Sequence, residues 1–216
     1  MLLQPYIDIH KHGTEHDNDV LTIYSKYDTF QTLLPEKQYS IGIHPWYIQD
    51  FESQFNDLKE SINQPNIIAI GECGLDALRG VSLELQAETF RMQILLANEC
   101  NKPLIIHCVR AFPQTLSLLK QAKVPVIFHG FNKKLSVAED ILKQGYYLSF
   151  GADLLKEHAA AYAVFSAVPV KQIFFETDDS MVDIKEIYKA GGRIRKTAED
   201  AIILQVQENF KTVFNI

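Results

Sequence analysis

The chain has 216 residues, 47% hydrophobic and 22% charged, with a net charge of −6. That is the composition of one well-packed domain over residues 1–216, and it excludes a disordered chain and a broad basic face for gripping duplex DNA. The opening residues lack a basic segment followed by a long apolar run, no apolar run approaches about 18 residues, and Cys73, Cys100 and Cys108 show no CxxC spacing. The expectation is a reduced, cytoplasmic protein with no signal peptide, membrane span or disulfide framework.

In chain order, the first apolar run is Tyr6–Ile9, which leads into His10-Lys11-His12. Side chains two apart on a strand share a face, so His10 and His12 point together and can converge on one metal ion, while Lys11 points away. Only residues 13–19 separate this run from Leu21–Tyr24, fewer than the dozen or so of a parallel crossover. Either the first helix is absent there, or Leu21–Tyr24 is not an ordinary parallel strand. Strand-like runs follow at Tyr39–Ile43, Ile67–Ile70, Leu104–Ile106, Val124–Phe128, Tyr146–Phe150 and Ile173–Phe175. Several are apolar at every position, as in parallel strands covered on both faces.

Helical patterns alternate with them over Gln49–Asn63, Ser82–Cys100, Phe112–Gln121, Leu135–Gln144, Leu154–Phe165 and Ala198–Phe210. In the second, Leu83, Phe90, Ile94 and Ala97 recur at helical spacing, Ser82 suits the N-cap, and Asn101-Lys102-Pro103 stops the helix. The alternation predicts a (β/α) barrel or a doubly wound sheet. The chain is short beside the roughly 250 residues of an ordinary barrel.

Five of the seven histidines fall where a strand gives way to a loop: His10, His12, His44, His107 and His129. Glu72 follows Ile67–Gly71, and Asp178 follows Ile173–Thr177. Barrels gather functional side chains at the C-terminal ends of their strands, and a set of imidazoles and carboxylates suits divalent ions such as Zn²⁺ or Mn²⁺. Asp8 and Glu176 share strand parity with His10 and Asp178, one pleat below, and are expected either to support the ligands or to make hydrogen bonds within the barrel. Cys73 and Cys108 are expected to face away from the site, and His16 and His158 to be solvated. Trp46, after His44-Pro45, reads as a stacking platform or as an aromatic cap. Lys185, Lys189, Arg193, Arg195 and Lys196, with Gly191-Gly192 among them, read as a solvated helix end or as a basic cluster that meets phosphates.

These residues resemble the TatD family of metal-dependent hydrolases, with amidohydrolase-like barrels. The likeness rests on Asp8-Ile9-His10-Lys11-His12, Gly42-Ile43-His44-Pro45, Gly71-Glu72-Cys73-Gly74-Leu75-Asp76, Pro103-Leu104-Ile105-Ile106-His107-Cys108, His129 and Glu176-Thr177-Asp178, together with Gln86, Phe90 and Gln93 in the long helix. The resemblance implies a TIM-type (β/α) barrel, shortened or distorted near its first β/α unit. It implies two divalent metal ions (Zn, Mn or Mg): His10, His12 and Asp178 hold one, His107 and His129 hold the other, and Glu72 bridges both. Asp178 also takes a proton from the attacking water. His44 is assigned to substrate or leaving-group contact. Arg110 is a candidate phosphate contact, although it follows His107 at a longer spacing than the family's usual His-x-Arg. The loop after Asp178 and the short loop after His12 depart from the family pattern.

The expected function is metal-dependent hydrolysis of phosphodiester bonds, as in a TatD-like deoxyribonuclease, with DNA or a small phosphoester as substrate. A metal-coordinated hydroxide attacks a carbonyl as readily, so an amide, ester or lactone hydrolase is the alternative. A non-catalytic metal-binding regulatory protein is a third reading.

Overall fold

A computed structural model describes residues 6–15, 17–27, 30 and 33–215. The expectation for His16 lies outside them. The described residues fall into two compact units, 6–24 with 129–215, and 25–128.

The first unit is built on β1 (Tyr6–Lys11), which pairs in parallel with β2 (Val20–Lys26), Ile7 opposite Leu21 and Asp8 opposite Thr22. Leu21–Tyr24 therefore lies in an ordinary parallel strand, and it is the first helix that is absent. The link can be this short because β1 advances about 20 Å, and the eight residues 12–19 reach about 26 Å when extended. An Asx turn, with Asp19 N–H donating to Asp17 Oδ1 at 2.9 Å, reverses the chain just before β2. β7 (Tyr147–Phe150) pairs in parallel with β8 (Ile173–Phe175), and the chain just past β8 is laced to β1. There Asp178 N–H donates to His10 O at 2.9 Å and His12 N–H to Asp178 O at 3.1 Å.

Helices α4 (Leu135–Leu142), α5 (Ala160–Ala167), α6 (Ile184–Arg195) and α7 (Glu199–Phe214) complete this unit. The helix expected over Leu154–Phe165 is divided: a 3₁₀ turn spans Ala152–Leu155 and α5 starts later. Asn132 makes the new start, its Oδ1 accepting from Ala161 N at 2.9 Å. The basic stretch 185–195 is no mere helix end but a whole helix, α6, whose Ile184, Ile187 and Tyr188 are buried. Tyr188 clamps β1, its hydroxyl accepting from Ile7 N at 3.1 Å and donating to Ile7 O at 3.0 Å. Gly191 lets the helix approach: a Cβ there would stand 2.9 Å from Phe175 Cζ.

The second unit holds β3 (Gln38–Ile41), β4 (Ile67–Asp76), β5 (Leu104–Val109) and β6 (Val126–Phe128), each pair parallel, with α1 (Phe51–Ser61), α2 (Leu83–Cys100) and α3 (Phe112–Leu119). Strand β4 runs six residues beyond the expected Ile67–Ile70, through two glycines that read locally as a turn. Its register against β5 shifts between Ile70 and Cys73 and then resumes with Gly74 opposite His107. Only glycine fits there, because a Cβ on Gly74 would lie 2.1 Å from His107 O, at a φ of +138°. Helix α2 begins as expected, Ser82 accepting from Leu85 N at 3.4 Å, and ends at Asn101 in the left-handed conformation. Cys73 is buried with its Sγ 3.8 Å from Ile105 O, and Cys108 Sγ lies 3.3 Å from Thr115 Oγ1, so both face away from the histidines as expected.

Candidate metal centre

In the first unit the strand ends bring His10, His12, His129 and Asp178 together. His10 and His12 project from the same face of β1, with ring centroids 5.0 Å apart and planes at 90°. The ring of His129 lies 4.2 Å from that of His10, tilted by 35°. Asp178 sits at φ +54°, locked to β1 by its own N–H and C=O, and its Oδ1 lies 3.7 Å from His10 Nε2 and 3.5 Å from His12 Nε2. Two donors about 2.1 Å from one tetrahedral ion stand about 3.4 Å apart, so these separations suit ligands of a shared cation. Donor atoms of His10, His129 and Asp178 form one group within 4.8 Å, and those of His12, Asp178 and Asp179 form another. Asp179 is an addition to the expected set.

The buried acids below this cluster divide their work. Glu176 Oε1 stands 3.5 Å from His129 Nδ1 and accepts from Gly130 N at 2.5 Å, so it orients His129. Burial pushes the Glu176 carboxyl up, but the hydrogen bond and charge of His129, the charge of His10 and the Ser149 hydroxyl bring it below the usual carboxylate range. Asp8 does not reach a histidine. It accepts from Thr177 N at 3.0 Å and Thr177 Oγ1 at 2.6 Å, fixing the residue before Asp178. Burial, against those two hydrogen bonds, raises Asp8 to about 7.

In the second unit His44, Glu72 and His107 converge with donor atoms within 4.8 Å. Glu72 Oε1 lies 3.1 Å from His44 Nε2 and 2.7 Å from His107 Nδ1, all three residues buried. Helix α2 fixes backbone next to His44 and at the end of β4. Gln93 accepts from Ile43 N at 2.8 Å and donates to Ile43 O at 3.1 Å, so it pins the residue before His44. Gln86 does the same for Asp76, accepting from its N–H at 2.8 Å and donating to its C=O at 3.1 Å.

Asp76, which the sequence reading placed in a motif without a role, anchors His107. Its Oδ2 lies 3.0 Å from His107 Nε2 and accepts from Trp46 Nε1 at 2.6 Å, while Oδ1 accepts from Leu78 N and Arg79 N. Burial would raise the Asp76 carboxyl, but hydrogen bonds from His107, Trp46 and Leu78, with the charge of His107, hold it below its ordinary value. Trp46 sets its indole edge-on to His107 at 5.5 Å, with the Arg79 guanidinium 4.8 Å over its ring. Arg110 is exposed just past β5 at φ +51°, and among the described residues no hydrogen bond or ion pair ties it to either cluster.

Each unit thus carries nitrogen and carboxylate donors at spacings that fit a divalent cation, and the donor mixture suits Zn²⁺, Mn²⁺ or Mg²⁺. Among the described residues no helix is long and apolar enough to cross a membrane.

Comparison with known proteins supports a metal-dependent hydrolase. An uncharacterized metal-dependent hydrolase of Buchnera aphidicola is 27% identical over 96% of this chain and 88% of its own length. A 3'-5' ssDNA/RNA exonuclease TatD of Edwardsiella piscicida is 28% identical over 63% of this chain, which spans 55% of that protein. The crystal structure of YJJV, a TatD homologue from Escherichia coli K12, superposes with a TM-score of 0.83 over 99% of both chains at 17% identity. That likeness shows the fold, the (β/α) barrel expected from the sequence. The sequence model of the family described as TatD related DNase matches residues 19–215, so the chain belongs to the TatD related DNase family of metal-dependent hydrolases.

Proposed function

We propose that this chain hydrolyses phosphodiester bonds in DNA, from ends or single strands, with water activated by two divalent metal ions. The observation that carries the reading is the approach of His10 Nε2 and His12 Nε2 to one oxygen of Asp178, at 3.7 and 3.5 Å. Bound ions would lower the pKa of a coordinated water towards about 7 and offset charge on the phosphate, which an acidic chain of net charge −6 otherwise repels. The candidate ligands are His10, His12, His129 and Asp178 in one unit and Glu72 and His107 in the other. Asp178, about 40% exposed, is the group placed to accept a proton from an attacking water. Relatives named as a 3'-5' ssDNA/RNA exonuclease and as putative deoxyribonucleases support nucleic acid as the substrate class. The activity is assigned to residues 1–216 as one hydrolase domain, working in the reducing cytoplasm, in keeping with three free cysteines.

The test is release of nucleotides from a single-stranded oligodeoxynucleotide with added Mg²⁺ or Mn²⁺, beside amide, ester and lactone substrates. The expected result is metal-dependent nucleotide release that falls at least 100-fold in Asp178→Ala. Turnover of a carbonyl substrate with no release from DNA would replace this reading, and equal activity in Asp178→Ala would remove the mechanism.

A further inference from the structure

Among the three residues that converge in the second unit, one is turned away from binding an ion by a backbone amide two residues on. We infer that His44 is not a metal ligand but a positioning residue: the Trp46 amide fixes its Nδ1 as an acceptor, so its Nε2–H donates to Glu72 and holds that carboxylate in place. The inference rests on the metal-dependent reading above and deepens it.

The reasoning is a count of protons. Trp46 N–H donates to His44 Nδ1 at 3.1 Å. That nitrogen must present a lone pair, so it carries no proton. A ring bare at both nitrogens would be an imidazolate, which does not form from a neutral imidazole near neutral pH, so the proton sits on Nε2. Nε2 is 3.1 Å from Glu72 Oε1, and the bond runs from imidazole to carboxylate. A nitrogen that bears a proton has no lone pair for a cation. His44 and Glu72 are each about 4% exposed, so water is a poor substitute for either partner.

His107 shows the opposite arrangement with the same logic. Asp76 Oδ2 already accepts from Trp46 Nε1, and Oδ1 from two backbone amides, so Asp76 is an acceptor towards His107 Nε2 at 3.0 Å. The proton of His107 is committed to Nε2, and Nδ1, 2.7 Å from Glu72 Oε1, is the nitrogen that turns towards an ion. Trp46 supplies both settings: its backbone amide sets His44 and its indole helps to set Asp76. The preceding residue is immobilised too, since Gln93 pairs with both polar groups of Ile43. Helix α2 therefore fixes the loop, the loop fixes the tautomer, and the tautomer fixes the orientation of the Glu72 carboxylate.

The experiment labels histidine with ¹⁵N and compares the metal-free protein with protein loaded with ¹¹³Cd²⁺. In the metal-free spectrum His44 is expected as the Nε2–H tautomer. In the loaded protein, ¹¹³Cd–¹⁵N coupling is expected at His10, His12, His107 and His129, with the coupling of His107 on Nδ1, and none at His44. Cadmium affinity by calorimetry is expected to fall 10- to 100-fold in His44→Phe, which lacks the donor, and to recover to within a few-fold in His44→Gln, whose amide N–H replaces Nε2–H. Coupling at His44, an Nδ1–H tautomer, or equal losses in the two variants would overturn the inference. If His44→Phe fails to fold, the spectra of the unaltered protein still decide. Absence of cadmium coupling at every histidine would sink the metal reading instead, and the His44 tautomer in the metal-free spectrum would still be read independently.

Discussion

At the scale of single residues, what local spacing reveals is which side chains share a strand face. His10 and His12 were legible for that reason, and the structure sets their rings on one side of β1. Asp76 was not legible as a support for His107. The two lie on paired strands, 31 residues apart, and their contact depends on a register that shifts inside β4. For Asp8, parity alone left two roles open, a partner for a ligand or hydrogen bonds within the barrel, and the amide and hydroxyl of Thr177 decide for the second. The Asp76 contact gives a prediction. Asp76→Asn keeps the size and the acceptor on one side but loses the charge that favours a proton on His107 Nε2, so metal affinity is expected to fall about 10- to 100-fold with the fold retained. Calorimetric titration with Zn²⁺ checks it, and unchanged affinity would show that His107 needs no such anchor. Trp46→Phe removes one donor to the same carboxylate and is expected to cost about 1.5–3 kcal/mol, read from denaturant unfolding.

At the scale of elements, long periodic segments were legible and interrupted ones were not. Helix α2 was found with its Ser82 cap because eighteen residues repeat one apolar pattern. Helix α6 was missed because Gly191-Gly192 lowers helix propensity by about 1 kcal/mol per residue and drew the eye to the charges around it. Its signal was nonetheless present, as Ile184, Ile187, Tyr188 and Gly191 fall at i, i+3, i+4 and i+7. Glycine serves packing there, which yields a test: Gly191→Val drives two methyl groups at the Phe175 ring and is expected to destabilise by about 2–3 kcal/mol. Denaturant midpoints would show it, and a variant as stable as the parent would mean that α6 can stand off from β8 without cost. The two buried glutamines of α2 are a second case. Gln93→Leu leaves the N–H and C=O of Ile43 without their partner in a buried setting, an expected loss of about 2–5 kcal/mol for the pair of groups, measured in the same way.

For the molecule as a whole, alternation of apolar strands and helices narrowed the fold to a barrel or a doubly wound sheet and the family motifs pointed to the barrel, while the short link after β1 left two readings that the parallel pairing of β1 with β2 separates. What the sequence could not convey is how much of the ligand geometry exists only in the folded chain. The imidazoles of His10 and His107 and the carboxylates of Glu72 and Glu176 are buried, and each is costly to desolvate. The unfolded chain gathers none of them, so a cation that binds the native clusters must stabilise the fold through mass action. At an ion concentration 100 times its Kd the gain is about 2.7 kcal/mol, which for a chain of this size raises Tm by about 5–11 °C. Calorimetric or fluorescence melting with and without Zn²⁺ or Mn²⁺ is the measurement. The rise is expected to vanish with a chelator and to shrink in Asp178→Ala and in Glu72→Gln, one variant from each unit. A rise that both variants retain in full would locate the binding elsewhere on the chain, and no rise at all would leave the buried acids and imidazoles without the ion that their spacing fits.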